Sequence, residues 1–180
     1  MKIKAYIAVF AGLIFGLSGF VSAQYAQKVE VNVKEVEPFI YCCLTHKGPI
    51  SDIQDVIGQL ILDMQTQNIQ PMGPMVGIFQ GDPTIQKPES AEWEVGFPVI
   101  EQAVFQPPLI KKQWIFKTVA VAMHIGPYEN TPETIGQILI WMDAHGYAQN
   151  GPVMERYTMD PAQTAAGGLK TEIWIPCQKN

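Results

Sequence analysis

The sequence predicts an α+β domain in which one strand–helix–strand–strand unit is used twice. The two copies are related by a pseudo-two-fold axis and form one domain with an inter-repeat cleft. Three observations carry this expectation. HKGPISDIQDVIGQLILDM at His46–Met64 recurs as HIGPYENTPETIGQILIWM at His124–Met142, an offset of 78 residues. Gly73-Pro74 and Asp82-Pro83 recur at that offset as Gly151-Pro152 and Asp160-Pro161. Glu94-Val-Gly-Phe-Pro98 recurs as Glu172-Ile-Trp-Ile-Pro176, again with no gap. A single unit would leave one sheet face bare, so the pair must pack as one body.

The chain opens with Lys2 and Lys4, an uncharged apolar run from Ala5 to Phe20, and the small residues Val21-Ser22-Ala23. This is the layout of a secretory signal peptide over residues 1–23, cut before Gln24. The alternative is an uncleaved N-terminal membrane anchor, but the run is short for a span and carries Gly12, Gly16, Ser18 and Gly19. The expected location is periplasmic or secreted, with no stable membrane span after cleavage. Residues 24–180 then make one domain, with repeat one at about 29–98, a linker at about 99–112 and repeat two at about 113–178.

In repeat one, Phe39–Thr45 reads as a strand and Gly48-Pro49 breaks it. Ser51 with Gln54 has capping-box spacing for the helix that follows. Ile53, Val56, Ile57, Leu60, Ile61 and Met64 form its apolar stripe. Asn68 and Pro71 end it, Met75–Gln80 is a short strand, and Ala91–Phe97 is the closing strand. In repeat two, Trp114–Met123 is the first strand and Thr131-Pro132 starts the helix. Ile135, Ile138, Leu139 and Met142 form its stripe, and Gly146 is a left-handed C-cap. Pro107-Pro108 and Lys111-Lys112 mark the linker as a kinked loop. Gly58 and Gly136, at matched places inside the helices, suggest close backbone approach. Leu62 and Ile140 lie opposite the apolar stripes, where the linker or a partner would cover them.

Setting aside Lys2 and Lys4 takes the formal charge from −5 to −7. Nucleic-acid binding rests on Lys and Arg neutralising phosphates, so DNA and RNA are excluded as partners. The three cysteines leave at least one unpaired. Cys42 and Cys43, adjacent on a strand, point to opposite faces. Either can be set against Cys177 across the sheet, although free buried thiols are the favoured reading. Cys42 and His46 stand roughly 13 Å apart at strand rise, too far to share an ion. No phosphate-cradling loop, nucleophile elbow or metal spacing is present, so no cofactor and no metal is expected. His46 and His124 end equivalent strands and read as structural groups bonding to the Gly-Pro corners.

Alternation on the closing strands sets Trp93, Val95 and Phe97 against Glu94 and Gly96, and Ile173 and Ile175 against Glu172 and Trp174. The aliphatic faces suit packing under the helices. The other faces line the cleft or, on the plainer reading, leave the two carboxylates in water. Tyr128 differs from its counterpart Ile50, so the shared scaffold does not require it. Tyr157 (counterpart Phe79) and Trp141 (counterpart Asp63) are further candidates, or ordinary packing aromatics.

His124-x-Gly126-Pro127-Tyr128-Glu129 with its helix, Gly151-Pro152, Tyr157, Asp160-Pro161 and Glu172–Pro176, together with their duplication, resemble the GyrI-like small-molecule-binding domains. That family includes the effector-binding domains of multidrug-sensing transcription regulators, and the resemblance spans roughly Val29 to Gln178. It implies a cleft that takes bulky, often cationic or aromatic compounds. Some relatives act on proteins such as DNA gyrase, and a subset resemble hydrolases of strained-ring compounds. The resemblance puts Glu172 in the pocket and Tyr128 at the cleft. The chain departs from the regulators in lacking a DNA-binding segment and in carrying an export signal, so a transcription role is not expected.

The expected function is therefore an exported binding protein for a hydrophobic, aromatic or cationic small molecule. Glu172, Trp174, Tyr128, Glu94, Gly96, Tyr157 and Trp141 are the candidate ligand-binding residues. A carboxylate beside an aromatic wall suits a cation through charge pairing and cation–π attraction, and Gly96 opposite Trp174 would leave room for a flat compound. The alternatives are a hydrolase of reactive electrophiles using Glu172 and Tyr128, and a protein-interaction module with an unknown partner. N-terminal sequencing of secreted material should give a first residue of Gln24; a first residue of Met1 would overturn the signal-peptide reading.

Overall fold

The computed structural model describes residues 29–80, 91–159 and 163–180. The expected signal peptide and the Asp82-Pro83 and Asp160-Pro161 turns lie outside those residues. The strands are β1 (Asn32–Glu35), β2 (Phe39–Lys47), β3 (Met75–Phe79), β4 (Glu92–Pro98), β5 (Ile110–Trp114), β6 (Thr118–Ile125), β7 (Tyr147–Gln149), β8 (Val153–Tyr157) and β9 (Lys170–Lys179). The helices are α1 (Ile53–Thr66) and α2 (Thr131–Ala144).

Eight strands form one antiparallel sheet in the order β1-β6-β9-β8-β3-β4-β2-β5, and β7 pairs with the end of β9. Repeat one supplies β2, α1, β3 and β4, and repeat two supplies β6, α2, β8 and β9. They meet at the β3–β8 ladder, where Gly77 faces Glu155 and Val76 faces Arg156. The doubled architecture expected from the sequence is therefore a single continuous sheet.

The repeat extends further than the sequence suggested. Residues 110–112, expected as part of the linker loop, form β5 together with Gln113 and Trp114, and adding 78 to the residues of β1 lands on β5. The registers match as well: Asn32 pairs with Val121 as Ile110 pairs with Cys43. These leading strands are exchanged, since β1 precedes repeat one but pairs with β6 of repeat two, and β5 does the reverse. The expected Trp114–Met123 strand is consequently split by residues 115–117, where the chain leaves one edge of the sheet for the other.

That exchange bends the sheet. β1 and β2 lie six strand positions apart, about 29 Å across a flat sheet. Only residues 36–38 join them, and such a link reaches about 14 Å fully extended. The β5–β6 link has the same length and the same span to cover. Both can close only if the sheet rolls so that its edges approach, and Val36 N–H donates to the Lys117 carbonyl across the seam at 2.7 Å.

Both helices pack on the convex face. Leu60 and Met64 of α1 are buried with Cys42, Leu44, Trp93 and Val95. Ile135, Ile138 and Met142 of α2 are buried with Ala120, Ala122, Val153, Ile173 and Ile175. A third cluster, Tyr41, Cys43, Val76, Ile78, Trp114, Val119, Val121, Met154 and Trp174, fills the concave face. Cys42 and Cys43 fall on opposite faces as expected, and all three cysteines are free and buried.

Local expectations fare unevenly. Gly146 is left-handed at φ 73°, and Pro132 lies in the first turn of α2. His124 bonds to the Pro127 carbonyl at 3.0 Å and to Thr134 Oγ1 at 2.8 Å, and His46 bonds to Asp52 at 2.9 Å. Both histidines thus brace the corners. The Ser51 capping box does not form: residues 50–52 make a 3-10 turn, Asp52 is the N-cap residue, and its carboxylate is turned to His46. Ile61 is 41% exposed, so the α1 stripe is narrower than its spacing suggested. Leu62 and Ile140 stay exposed, and the linker covers neither.

The paired helix glycines are a correction. A Cβ added at Gly58 or Gly136 meets nothing within 4 Å, so neither marks a close approach. At Gly96 a Cβ would lie 2.5 Å from the Cys42 carbonyl oxygen and 2.9 Å from the Cys43 Cβ. Gly58→Ala and Gly136→Ala should each raise unfolding free energy by about 0.5–1 kcal/mol, and Gly96→Ala should lower it by about 1–3 kcal/mol, measured by urea unfolding.

Candidate functional site

The concave face carries two neighbouring rungs of side chains across the strands. One runs Met123, Glu172, Arg156, Val76, Gly96, Cys43, and the other Val121, Trp174, Met154, Ile78, Glu94, Thr45. The offset of 78 maps each rung onto the reverse of the other, so Glu172 answers Glu94, Trp174 answers Gly96, and Arg156 answers Ile78. Glu172, Trp174 and Glu94 thus share the inner face of the rolled sheet, as alternation on the closing strands predicts. Gly96 shares that face, but its neighbours across the ladder are Cys43 and Val76 rather than Trp174. The space a side chain would need there is taken by β2.

On the repeat-two side, Arg156 Nη1 donates to Glu172 Oε2, and the guanidinium carbon sits 4.4 Å from the centre of the Trp174 ring. Lys34 reaches Glu172 Oε1 at 3.7 Å from β1. The charge partner and the cation–π partner expected of a ligand are therefore both supplied by the chain. Trp174 and Trp114 approach to 6.4 Å between ring centres. Their indole N–H groups are buried without a hydrogen-bond partner among the described residues.

On the repeat-one side, Tyr41 donates to Glu94 Oε1 at 2.5 Å and Lys112 donates to Oε2. The Cys43 thiol lies 3.9 Å from the same carboxylate. Burial, and then the Glu94 charge, lift the Tyr41 hydroxyl above its ordinary range and push the Cys43 thiol to about 12. Burial alone takes Cys42 to about 11, so at neutral pH both thiols are protonated and poorly nucleophilic. Beside Glu94 an open cavity of about 430 Å³ is lined by Thr45, Lys47, Gln80, Glu92, Glu94 and Lys112, among others.

The remaining candidates lie elsewhere. Val153, Glu155 and Tyr157 share the convex face of β8. Tyr157 donates to Glu155 at 2.9 Å and meets Tyr128 edge-on at 5.0 Å. Tyr128 bonds to the Met159 carbonyl at 3.3 Å. Trp141 stacks on His145 at 4.0 Å and lies near-parallel to Tyr147 on α2's own side of the sheet. The structure thus separates Tyr128, Tyr157 and Trp141 from Glu172 and Trp174.

Residues 29–178 match the GyrI-like small molecule binding domain. The chain belongs to the GyrI-like family. Curated proteins offer no match to the sequence. The fold is similar to that of the EcmrR C-terminal domain, with a TM-score of 0.73 and 16% identity over 84% of this chain and 99% of that one. It is also similar to a hydrolase from Listeria innocua, with a TM-score of 0.64 and 13% identity over 86% and 94% of the two chains. SAV2435, solved with tetraphenylphosphonium bound, gives a TM-score of 0.56 and 9% identity over 83% and 94%.

Within this GyrI-like domain the residues missed from sequence are Arg156, Lys34, Lys112, Tyr41 and Glu155. Arg156 (counterpart Ile78), Tyr41 (counterpart Val119) and Glu155 (counterpart Gly77) were open to the comparison of halves that singled out Tyr128. Lys34 and Lys112 lie on the two exchanged strands that were not anticipated.

Glu155 is buried on the convex side, with Tyr157 and Thr131 bonding to it, and burial raises its pKa above the usual 4.5. In the folded chain it keeps its proton to higher pH than in the unfolded chain. Its contribution to stability is therefore complete below about 4.5 and is lost as pH rises through the raised value. Glu155→Gln keeps the acceptor oxygen and cannot ionise. The melting temperature of this variant relative to wild type should climb as pH rises above 4.5, and a pH-independent difference would refute the assignment.

Proposed function

We propose that this GyrI-like domain is an exported binding protein that holds a hydrophobic, aromatic small molecule inside the rolled sheet, between its two repeats. The observation that carries the reading is the convergence of Tyr41, Trp114 and Trp174 on the concave face; an open cavity of about 430 Å³ lies at its repeat-one end, sharing Glu94 and Lys112 with the Tyr41 hydrogen-bond cluster. A volume of this order suits a small ring compound; the cavity itself is lined mainly by polar and charged side chains, with Trp93 and His46 as its rings. Glu172 and Trp174 are the carboxylate and ring that would also suit a cationic compound, and Arg156 meets both. Tetraphenylphosphonium on SAV2435 supports the aromatic part of the reading. Export rests on the basic start and apolar run of residues 1–23.

A hydrolase reading finds less support. The name belongs to the Listeria proteins, and here Glu172 and Tyr128 stand on opposite faces of the sheet, where they make no acid–base pair. A thermal-shift screen with aromatic compounds tests the binding reading. At least one compound should raise the melting temperature by about 5 °C at saturation, and Trp174→Leu should weaken its affinity about tenfold. Absence of any stabilising compound, or full affinity in a folded Trp174→Leu variant, would overturn it.

A further inference from the structure

The Glu172–Trp174 corner has the two attractions that would hold a ligand cation, and Arg156 engages both at once. A cation–π contact and a charge-assisted hydrogen bond to a carboxylate are each satisfied once by one guanidinium. An incoming cation would have to displace a tethered competitor that is always at hand. It would also meet a positive surface, because among the described residues Lys34, Lys112 and Arg156 face the concave side with the carboxylates Glu94 and Glu172 between them. Lys47, at the rim, is cancelled by Glu92 at 3.0 Å.

What is left unsatisfied points the other way. Trp114 and Trp174 are 2% and 8% exposed, and their indole N–H donors have no acceptor among the described residues. A buried donor without a partner is a costly feature that a ligand acceptor would relieve. Tyr41, the other polar aromatic on this face, has its hydroxyl committed to Glu94.

We propose that Arg156 is the specificity-determining residue of the cleft, a built-in cation that excludes cationic ligands, and that the site takes flat aromatic compounds bearing an anionic acceptor group such as a carboxylate. The acceptor would be met by the Trp114 and Trp174 N–H groups and by the excess positive charge. This rests on the cleft being a small-molecule site and deepens that reading by naming the ligand's charge.

The test uses two probes of one shape and opposite charge, 2-naphthoate and 2-naphthamidinium, titrated calorimetrically into wild type, Arg156→Gln and Lys112→Gln. Wild type should bind the naphthoate at least tenfold tighter. Arg156→Gln should shift the ratio of affinities toward the amidinium by tenfold or more, and Glu172→Gln added to it should abolish that gain. Lys112→Gln removes the same formal charge elsewhere in the cleft and should shift the ratio far less. Arg156→Met provides a second variant should the glutamine variant fold poorly. A wild-type preference for the amidinium, or an equal shift from Lys112→Gln, overturns the proposal. If neither probe binds while other aromatic compounds stabilise the protein, this inference fails and the binding reading stands. If no aromatic compound binds at all, both fail.

Discussion

Two three-residue links govern this molecule. Each joins strands that a flat sheet would hold about 29 Å apart, and fully extended neither reaches more than about half that distance. The sheet therefore rolls, one face becomes concave, and side chains from distant strands are forced together. Trp114 on the last strand of the order and Trp174 on the third come within 6.4 Å for this reason. The third apolar cluster is a product of curvature: on a flat sheet the face away from the helices would be open to water.

Curvature also decides how charge is handled. Residues on the inner face lose solvent, so an unpaired carboxylate there would be expensive. Both carboxylates are matched by cations carried on other strands: Lys34 and Arg156 for Glu172, and Lys112 for Glu94. Lys34 and Lys112 occupy equivalent places on the exchanged strands, so the base of each repeat neutralises the acid of the other. Arg156 has no equivalent. With Trp174 against Gly96 and Tyr41 against Val119, it makes the two halves of the inner face chemically different.

The parts of the fold that were legible in the sequence are those with strong local signals. The Gly-Pro corners, the helix stripes and the alternation of the closing strands all survive, and so does the division of Glu94 and Glu172 from the aliphatic faces. What was not legible depends on pairing over long distance. β5 is short and charged with no alternation to betray it, and β1, although Val29, Val31 and Val33 alternate with polar residues, gives no sign that its partner lies in the opposite repeat, which offers both strands an edge. Gly58 and Gly136 mislead because identity at matched positions suggests packing pressure, whereas open space surrounds both. Arg156 was visible as a difference between halves, but its role follows from its pairing with Glu172 across β8 and β9, which no local pattern announces.

The exchange of leading strands carries an implication for symmetry itself. A two-fold homodimer of one such unit would present every inner-face residue twice. A second arginine would stand where Ile78 now lies, and a second tryptophan at Gly96, where even a methyl group meets the Cys42 carbonyl at 2.5 Å. Only a chain that carries both copies covalently can break that degeneracy. It can keep one indole, one guanidinium and one glycine on a scaffold that is otherwise doubled. The two ends of the inner face are therefore distinguishable, which a symmetric pair of identical units could never make them.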